Sequence, residues 1–213
     1  VGSEMCIRDR NYEVGAHLST PSHKVQADLA LFYIDCRDQQ LTVFPEGQVT
    51  GRLMTNAGRT RSFGGEASLL ATLWRNLDLQ VAYGYTRATF VKFDTGKADY
   101  AGNFIPYAPQ HTLYAGASYT LRTGWNCLEY VIFRVAANGA GRIYWNEANT
   151  FSQPFYALLE ASIRFEHRHW AVDVWGRNLT DTRYDTFYFM SIGNSFLQRG
   201  RPRTFGVSLS ITL

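Results

Sequence analysis

From about Tyr12 onward, hydrophobic and polar positions alternate with period 2, and no window of comparable length carries a helical stripe. The alternation predicts nine strands, at 12–19, 24–34, 61–74, 77–90, 110–121, 127–137, 155–165, 168–178 and 202–213. Most run 9 to 14 residues, whereas strands of soluble proteins average about five or six and a tilted strand crossing a bilayer needs about 9–11. Strand length therefore points to a membrane. The two faces are distinct in the cleanest segments. In 77–90, Leu77, Leu79, Val81, Tyr83 and Tyr85 share one side, and Asp78, Gln80, Ala82, Gly84 and Thr86 the other. In 202–213, Phe205, Val207, Leu209, Ile211 and Leu213 oppose Thr204, Gly206, Ser208, Ser210 and Thr212.

A soluble β-sandwich has the same period, so the choice rests on what occupies the polar face. That face carries Thr, Ser, Gly and Gln rather than the Lys and Glu of a solvated sheet. It suits a crowded, wet lumen, with the apolar face turned to lipid. Glu129 is the poor fit, because it shares parity with Val131, Phe133 and Val135, although it lies near a strand end. The connections alternate in length: short at 20–23, 75–76, 122–126 and 166–167, long at 35–60, 91–109, 138–154 and 179–201. An up-and-down barrel with periplasmic turns at one end and extracellular loops at the other has this rhythm. Trp74, Trp170, Tyr33 and Tyr119 near strand ends suit interfacial girdles, and would equally serve β-rich packing.

Composition agrees: 213 residues are 18% charged and 15% aromatic, poor in charge against the usual figure of about 25%. A net charge of +3 is too small to predict a nucleic-acid partner. The three cysteines, Cys6, Cys36 and Cys127, have neither disulfide nor zinc spacing. No run of 18 apolar residues exists, which excludes a membrane-spanning helix and leaves a strand barrel open. Residues 1–10, VGSEMCIRDR, start without Met and share no periodicity with the rest. They read as a translated adapter ahead of a receptor segment at 11–213, or as a frayed genuine terminus.

Chemistry is sparse. His167 and His169 flank a turn with Glu166 and Arg168, where an exposed, unliganded pair is the expectation. Nucleophile elbows, phosphate loops and HExxH are absent from the sequence, and no catalytic, metal or cofactor site is predicted.

Several segments in order carry a resemblance: ALFYIDCRDQQL at 30–41, TNAGRTRSFGGEASL at 55–69, LQVAYGYTRATF at 79–90, GNFIPYAPQHTLYAGASY at 102–119, GRNLTDTRYDTFYF at 176–189 and QRGRPRTFGVSLSITL at 198–213. Together they resemble the C-terminal half of the β-barrel of TonB-dependent outer-membrane receptors of Gram-negative bacteria. The fold expected is all-β, an antiparallel up-and-down transmembrane β-barrel, partial at nine strands of about 22 in the complete family barrel.

Some of these residues have readable structural jobs. Gly64 and Gly65 remove side chains where a strand bends or something presses on the wall. Pro106 and Pro109 stiffen the chain ahead of a strand without removing a ladder amide. Asn178, Thr180 and Asp181 can tie a strand exit to backbone, and Pro202 sits between Arg201 and Arg203 at the mouth of the last strand. Leu213 departs from the aromatic residue with which the family commonly ends.

The resemblance implies uptake of a scarce nutrient, with a ferric siderophore ahead of cobalamin, haem and glycans. It also implies outer-membrane lipid and lipopolysaccharide around the wall, and a TonB-type energy-coupling protein acting through an N-terminal region and a plug. Neither of those precedes Asn11 here, so transport is not expected of this polypeptide alone. Tyr144, Trp145 and Phe151 in one long loop, and Tyr184, Phe187, Tyr188 and Phe189 in another, are candidate ligand contacts. The same rings could instead pack the loops together. The other readings are a plug-free porin or adhesin barrel and a soluble carbohydrate-binding β-sandwich.

Overall fold

The computed structural model describes residues 8–22, 24–37, 40–43, 53–56, 58–95, 98–191 and 194–212. Cys6, His23 and Leu213 lie outside them. Nine long strands form one antiparallel sheet: β1 (Arg8–Ser19), β2 (Val25–Arg37), β5 (Arg59–Leu73), β6 (Leu77–Lys92), β7 (His111–Trp125), β8 (Leu128–Ala140), β11 (Tyr156–His167), β12 (Trp170–Arg177) and β15 (Thr204–Ile211). Neighbours in the sheet are consecutive among the nine, with β1 and β15 at its two edges, which is up-and-down order. Strand β1 starts at Arg8, inside the segment 1–10.

The sheet is built from cross-strand rows whose identity follows from register. One outward row runs Leu73, Leu77, Tyr119, Phe133, Ile163, Val174 and Val207 across seven strands. The next runs Leu121, Val131, Phe165, Val172 and Leu209. On the opposite face the neighbouring row is Asp78, Ser118, Arg134, Ser162, Trp175 and Gly206. The outward face is left open: Val14 is 67% exposed and Phe205 is 70% exposed. A continuous apolar sheet face of this extent is stable only against lipid or another apolar surface. Among the described residues the buried core is correspondingly small, Phe90 and Phe93 packed with Tyr100 and Ile105 where the chain after β6 folds back.

Thirteen residues of β2 at about 3.3 Å each, tilted about 40°, rise roughly 33 Å. That exceeds an apolar band of about 25 Å, so strand ends stand beyond the membrane on the side of the long connections. Glu129 lies at the other rim, exposed, one position from the hairpin tip's first strand residue.

Two expectations about connections are corrected. The segment 122–126 is not a turn: β7 continues through Trp125, which pairs with Leu128, and the hairpin tip is Asn126 and Cys127. A register shift between Arg122 and Trp125 absorbs Gly124 at φ 74°, so the residue that reads as a turn marks a bulge. The long connections also carry strands of their own. β3 (Gln40–Val43) pairs with β4 (Leu53–Asn56), β9 (Ile143–Tyr144) with β10 (Ser152–Gln153), and β13 (Asp185–Ser191) with β14 (Asn194–Arg199).

Candidate functional site

The long connections after β6, β8 and β12 meet at one end of the sheet, and Asn side chains join the first two. Asn146 accepts from the amides of Thr150 (3.0 Å) and Phe151 (3.3 Å), which closes the turn between β9 and β10. That turn places Asn149 at φ 56°, a left-handed conformation that Asn tolerates. From there Asn149 Oδ1 accepts from the Phe104 amide (2.7 Å) and its Nδ2 donates to the Phe104 carbonyl (2.9 Å), copying a backbone bridge with a side chain. Asn103 adds a donation to the Glu147 carbonyl at 2.9 Å.

The third loop is held by Tyr107 and Gln153. The Tyr107 amide donates to Tyr144 (2.8 Å) and its hydroxyl to the Tyr188 carbonyl (2.7 Å). Partial burial, and then the nearby Glu147 carboxylate, push the Tyr107 phenol up from its ordinary value. Gln153, itself buried, accepts from the Asp185 amide at 2.8 Å. Pro106 and Pro109 flank this arrangement, while the amides of Ile105, Tyr107 and Gln110 donate to Ala88, Tyr144 and Arg142.

On this frame the rings pair between elements. Tyr144 stacks on Phe104 (centroids 5.4 Å), Phe151 on Tyr188 (4.7 Å) and Tyr184 on Tyr156 (4.6 Å), while Trp145 meets Tyr107 at 5.4 Å with the ring planes tilted by 58°. Phe187 contacts both Tyr107 and Phe189. Six of the seven predicted contact residues thus join rings of other elements, and Phe189 stacks on Phe196 within its own hairpin at 5.0 Å. They divide by accessibility: Trp145 and Tyr188 are buried, Tyr144, Tyr184 and Phe189 are half-buried, and Phe151 (43%) and Phe187 (40%) are open beside Tyr107 (45%). Tyr107, Phe151 and Phe187 are therefore the open rings of this set, packed against the buried Trp145 and Tyr188. Tyr107 was not singled out by sequence reasoning. Its signal was an aromatic between two prolines in FIPYAP, and Asn149 and Gln153 were hidden because their partners lie in other loops.

At the exit of β12 a second set of predicted residues comes together. Asn178, buried at φ 50°, donates to the carbonyls of Thr182 (2.9 Å) and Arg201 (3.1 Å) and accepts from the Thr182 amide (2.8 Å). Asp181 accepts from the Arg203 amide at 3.1 Å, so the two side chains clasp the chain on both sides of Pro202. Thr180 bonds Thr182 through their hydroxyls.

Below the loops, the concave face has a depression of about 790 Å³, its wall including Asp28, Glu66, Ser68, Tyr114 and Asn138. Ser68 and His17 both bond Asp28, at 2.9 and 2.5 Å. Among the described residues no group of three His, Cys, Asp or Glu side chains could hold a metal ion. The depression carries two carboxylates, Asp28 and Glu66, in a lining that is otherwise largely apolar.

Residues 8–179 match the model of the family described as TonB dependent receptor-like, beta-barrel. The pesticin receptor of Yersinia pestis is 28% identical over 207 residues, covering 94% of this chain and 28% of that protein. The chain thus spans little more than a quarter of the length of the curated relatives it matches. Among solved structures, the ferric yersiniabactin uptake receptor FyuA of Yersinia pestis superposes with a TM-score of 0.80 at 24% identity, over 96% of this chain and 30% of that one. The ferric preacinetobactin receptor BauA of Acinetobacter baumannii gives 0.71 at 19% identity, over 94% and 29%.

Proposed function

The chain belongs to the TonB-dependent receptor β-barrel family, outer-membrane proteins of Gram-negative bacteria, and from that premise we propose that it is the ligand-capturing wall and loops of a receptor that imports a ferric siderophore. The observation that carries this reading is the aromatic platform at the outer end, with Tyr107, Phe151 and Phe187 open above a frame of buried rings. Rings immobilised before binding lose little entropy when a ligand arrives, which is how a rigid platform gains affinity. The names of the similar receptors, one for ferric yersiniabactin and one for ferric preacinetobactin, support a siderophore over other nutrients.

Strands β1 and β15 each have one neighbour in this sheet. In lipid every unpaired edge group costs several kcal/mol, so the working unit is a complete barrel in which further strands close both edges. Passage of the ligand in that receptor would draw on a plug and a TonB-type energy-coupling protein acting through it.

The test is ligand titration of the complete receptor in detergent, followed by tryptophan fluorescence. Saturable binding of ferric yersiniabactin, with none of cobalamin or haem, is expected. Phe151→Ala combined with Phe187→Ala is expected to raise Kd by about tenfold or more. Binding of cobalamin or haem and not of ferric yersiniabactin or ferric preacinetobactin overturns the siderophore assignment. An unchanged Kd in the double variant overturns the platform as its site.

A further inference from the structure

We propose that the short-turn end of this wall docks on the cell wall beneath the outer membrane, an anionic polymer of N-acetylated sugars cross-linked by carboxylate-bearing peptides. Four turns form that end, at 20–24, 74–76, 126–127 and 168–169. They carry Lys24, Arg75 and Arg168 and no Asp or Glu, whereas every long connection at the other end carries carboxylates. All three cations are exposed, and none has an ion pair among the described residues. The short turns of an outer-membrane barrel are periplasmic, so this charge faces the periplasm.

Two indoles stand among these cations. Trp74, in the turn 74–76, is 80% exposed and held at φ 52°, in the left-handed region that bulky side chains rarely enter. Trp125, 65% exposed, ends β7 at the next hairpin. Its position in the sequence gives it the parity of Tyr119 and Leu121, which face lipid. The bulge after Arg122 adds a residue, so Trp125 pairs with Leu128 and joins the face of Tyr130, Ile132 and Arg134. Thr123 holds this arrangement, its hydroxyl accepting from the Trp125 amide at 3.2 Å and donating to the Leu128 carbonyl. A ring of an interfacial girdle belongs on the lipid-facing rows. Trp125 is turned off those rows, toward the periplasmic mouth.

The spacing suits an extended polymer. β6 and β7 are neighbours, so the turns 74–76 and 126–127 lie about 10 Å apart along the rim, within the reach of one disaccharide. The C–H face of a pyranose and its acetamido methyl are apolar and pack flat on an indole, whose N–H is left for a sugar oxygen. Lys24, Arg75 and Arg168 spread over about 30 Å of rim, from the first turn to the fourth. That is too wide for a small anion and matches carboxylates repeated along a polymer. Phospholipid headgroups would meet the rings of the lipid-facing rows instead.

This proposal rests on the outer-membrane placement and not on the identity of the nutrient. The experiment pelleted with isolated cell-wall sacculi uses the complete receptor in detergent, and hydroxyl-radical oxidation reads Trp74 and Trp125 with and without the sacculi. One variant combines Trp74→Ala with Trp125→Ala, and a second combines Lys24→Gln, Arg75→Gln and Arg168→Gln. The charge-matched control combines Arg10→Gln, Arg61→Gln and Arg87→Gln near the long-connection end. The expected result is co-sedimentation of the parent with both indoles protected, affinity at least about tenfold lower in each periplasmic variant, and no change in the control. Failure of the parent to co-sediment overturns the proposal, whether or not the variants fold. Protection of both indoles in the receptor alone overturns it, in favour of contact with the rest of the receptor. Protection on reconstitution into phosphatidylglycerol vesicles without sacculi overturns it too, in favour of the inner leaflet. Ferric yersiniabactin binding on the same preparations reports on the transport reading separately.

Discussion

Gly64→Ala is expected to destabilise the complete receptor by about 3 kcal/mol or more, while Gly65→Ala next to it costs about 1 kcal/mol or less. The two glycines look equivalent in the sequence but face opposite ways. A Cβ on Gly64 would run into the backbone carbonyl of Tyr85 and approach the Phe32 ring to 2.8 Å. A backbone carbonyl in a paired strand cannot move without breaking its ladder, so β5 and β6 would have to separate locally. A Cβ on Gly65 meets the Leu31 Cδ2 methyl at 2.7 Å and the Ala30 carbonyl at 3.3 Å. That methyl is the end of a rotatable side chain on a lipid-facing position, so it swings away. Urea unfolding in detergent, read by heat-modifiable gel mobility, should show an early midpoint for the first variant and a near-parental one for the second. Equal effects would refute the close approach of β5 to β6.

Asn178→Ala is expected to cost about 3–4 kcal/mol, from three lost hydrogen bonds at a buried site and a left-handed backbone that alanine resists. Its side chain serves the Thr182 amide and carbonyl and the Arg201 carbonyl, at φ 50°. Asn178→Gly separates the two contributions, since glycine accepts the backbone angle and still removes the bonds. It should recover about 1 kcal/mol. The local signature is faster hydrogen exchange at the amides of Thr182 and Arg203, the second because Asp181 would no longer be held against it. Parental exchange at both amides would show that the clasp does not hold the mouth of β15.

Much of the wall was legible because a strand's faces are set by a period of two that the backbone imposes locally. Leu79 and Gln80 are on opposite sides whatever their neighbours, and all nine long strands occur where alternation predicts them. The segment 122–126 was misread because Gly124 signals a turn and a bulge equally well, and only pairing of Trp125 with Leu128 separates the two. The hairpins within the long connections were missed because segments of two to seven residues carry too few alternations to register.

The aromatic loop residues were legible as a group and not as individuals. Composition shows that 138–154 and 179–201 are rich in rings, and cannot say that Trp145 and Tyr188 are buried while Phe151 and Phe187 stay open. That division depends on contacts such as Tyr107 with Tyr188, 81 residues apart, and Asn149 with Phe104, 45 apart.

By itself the sequence determined that this protein is a succession of two-faced strands with lipid on one side, because alternation, strand length and the rhythm of connections are local quantities. The tertiary structure alone decided which residues become neighbours across strands and loops: the platform at Tyr107 and the clasp at Asn178. Register and loop docking bring together residues tens of positions apart. The free energy of those meetings lies in shape, burial and charge that no spacing along the chain encodes.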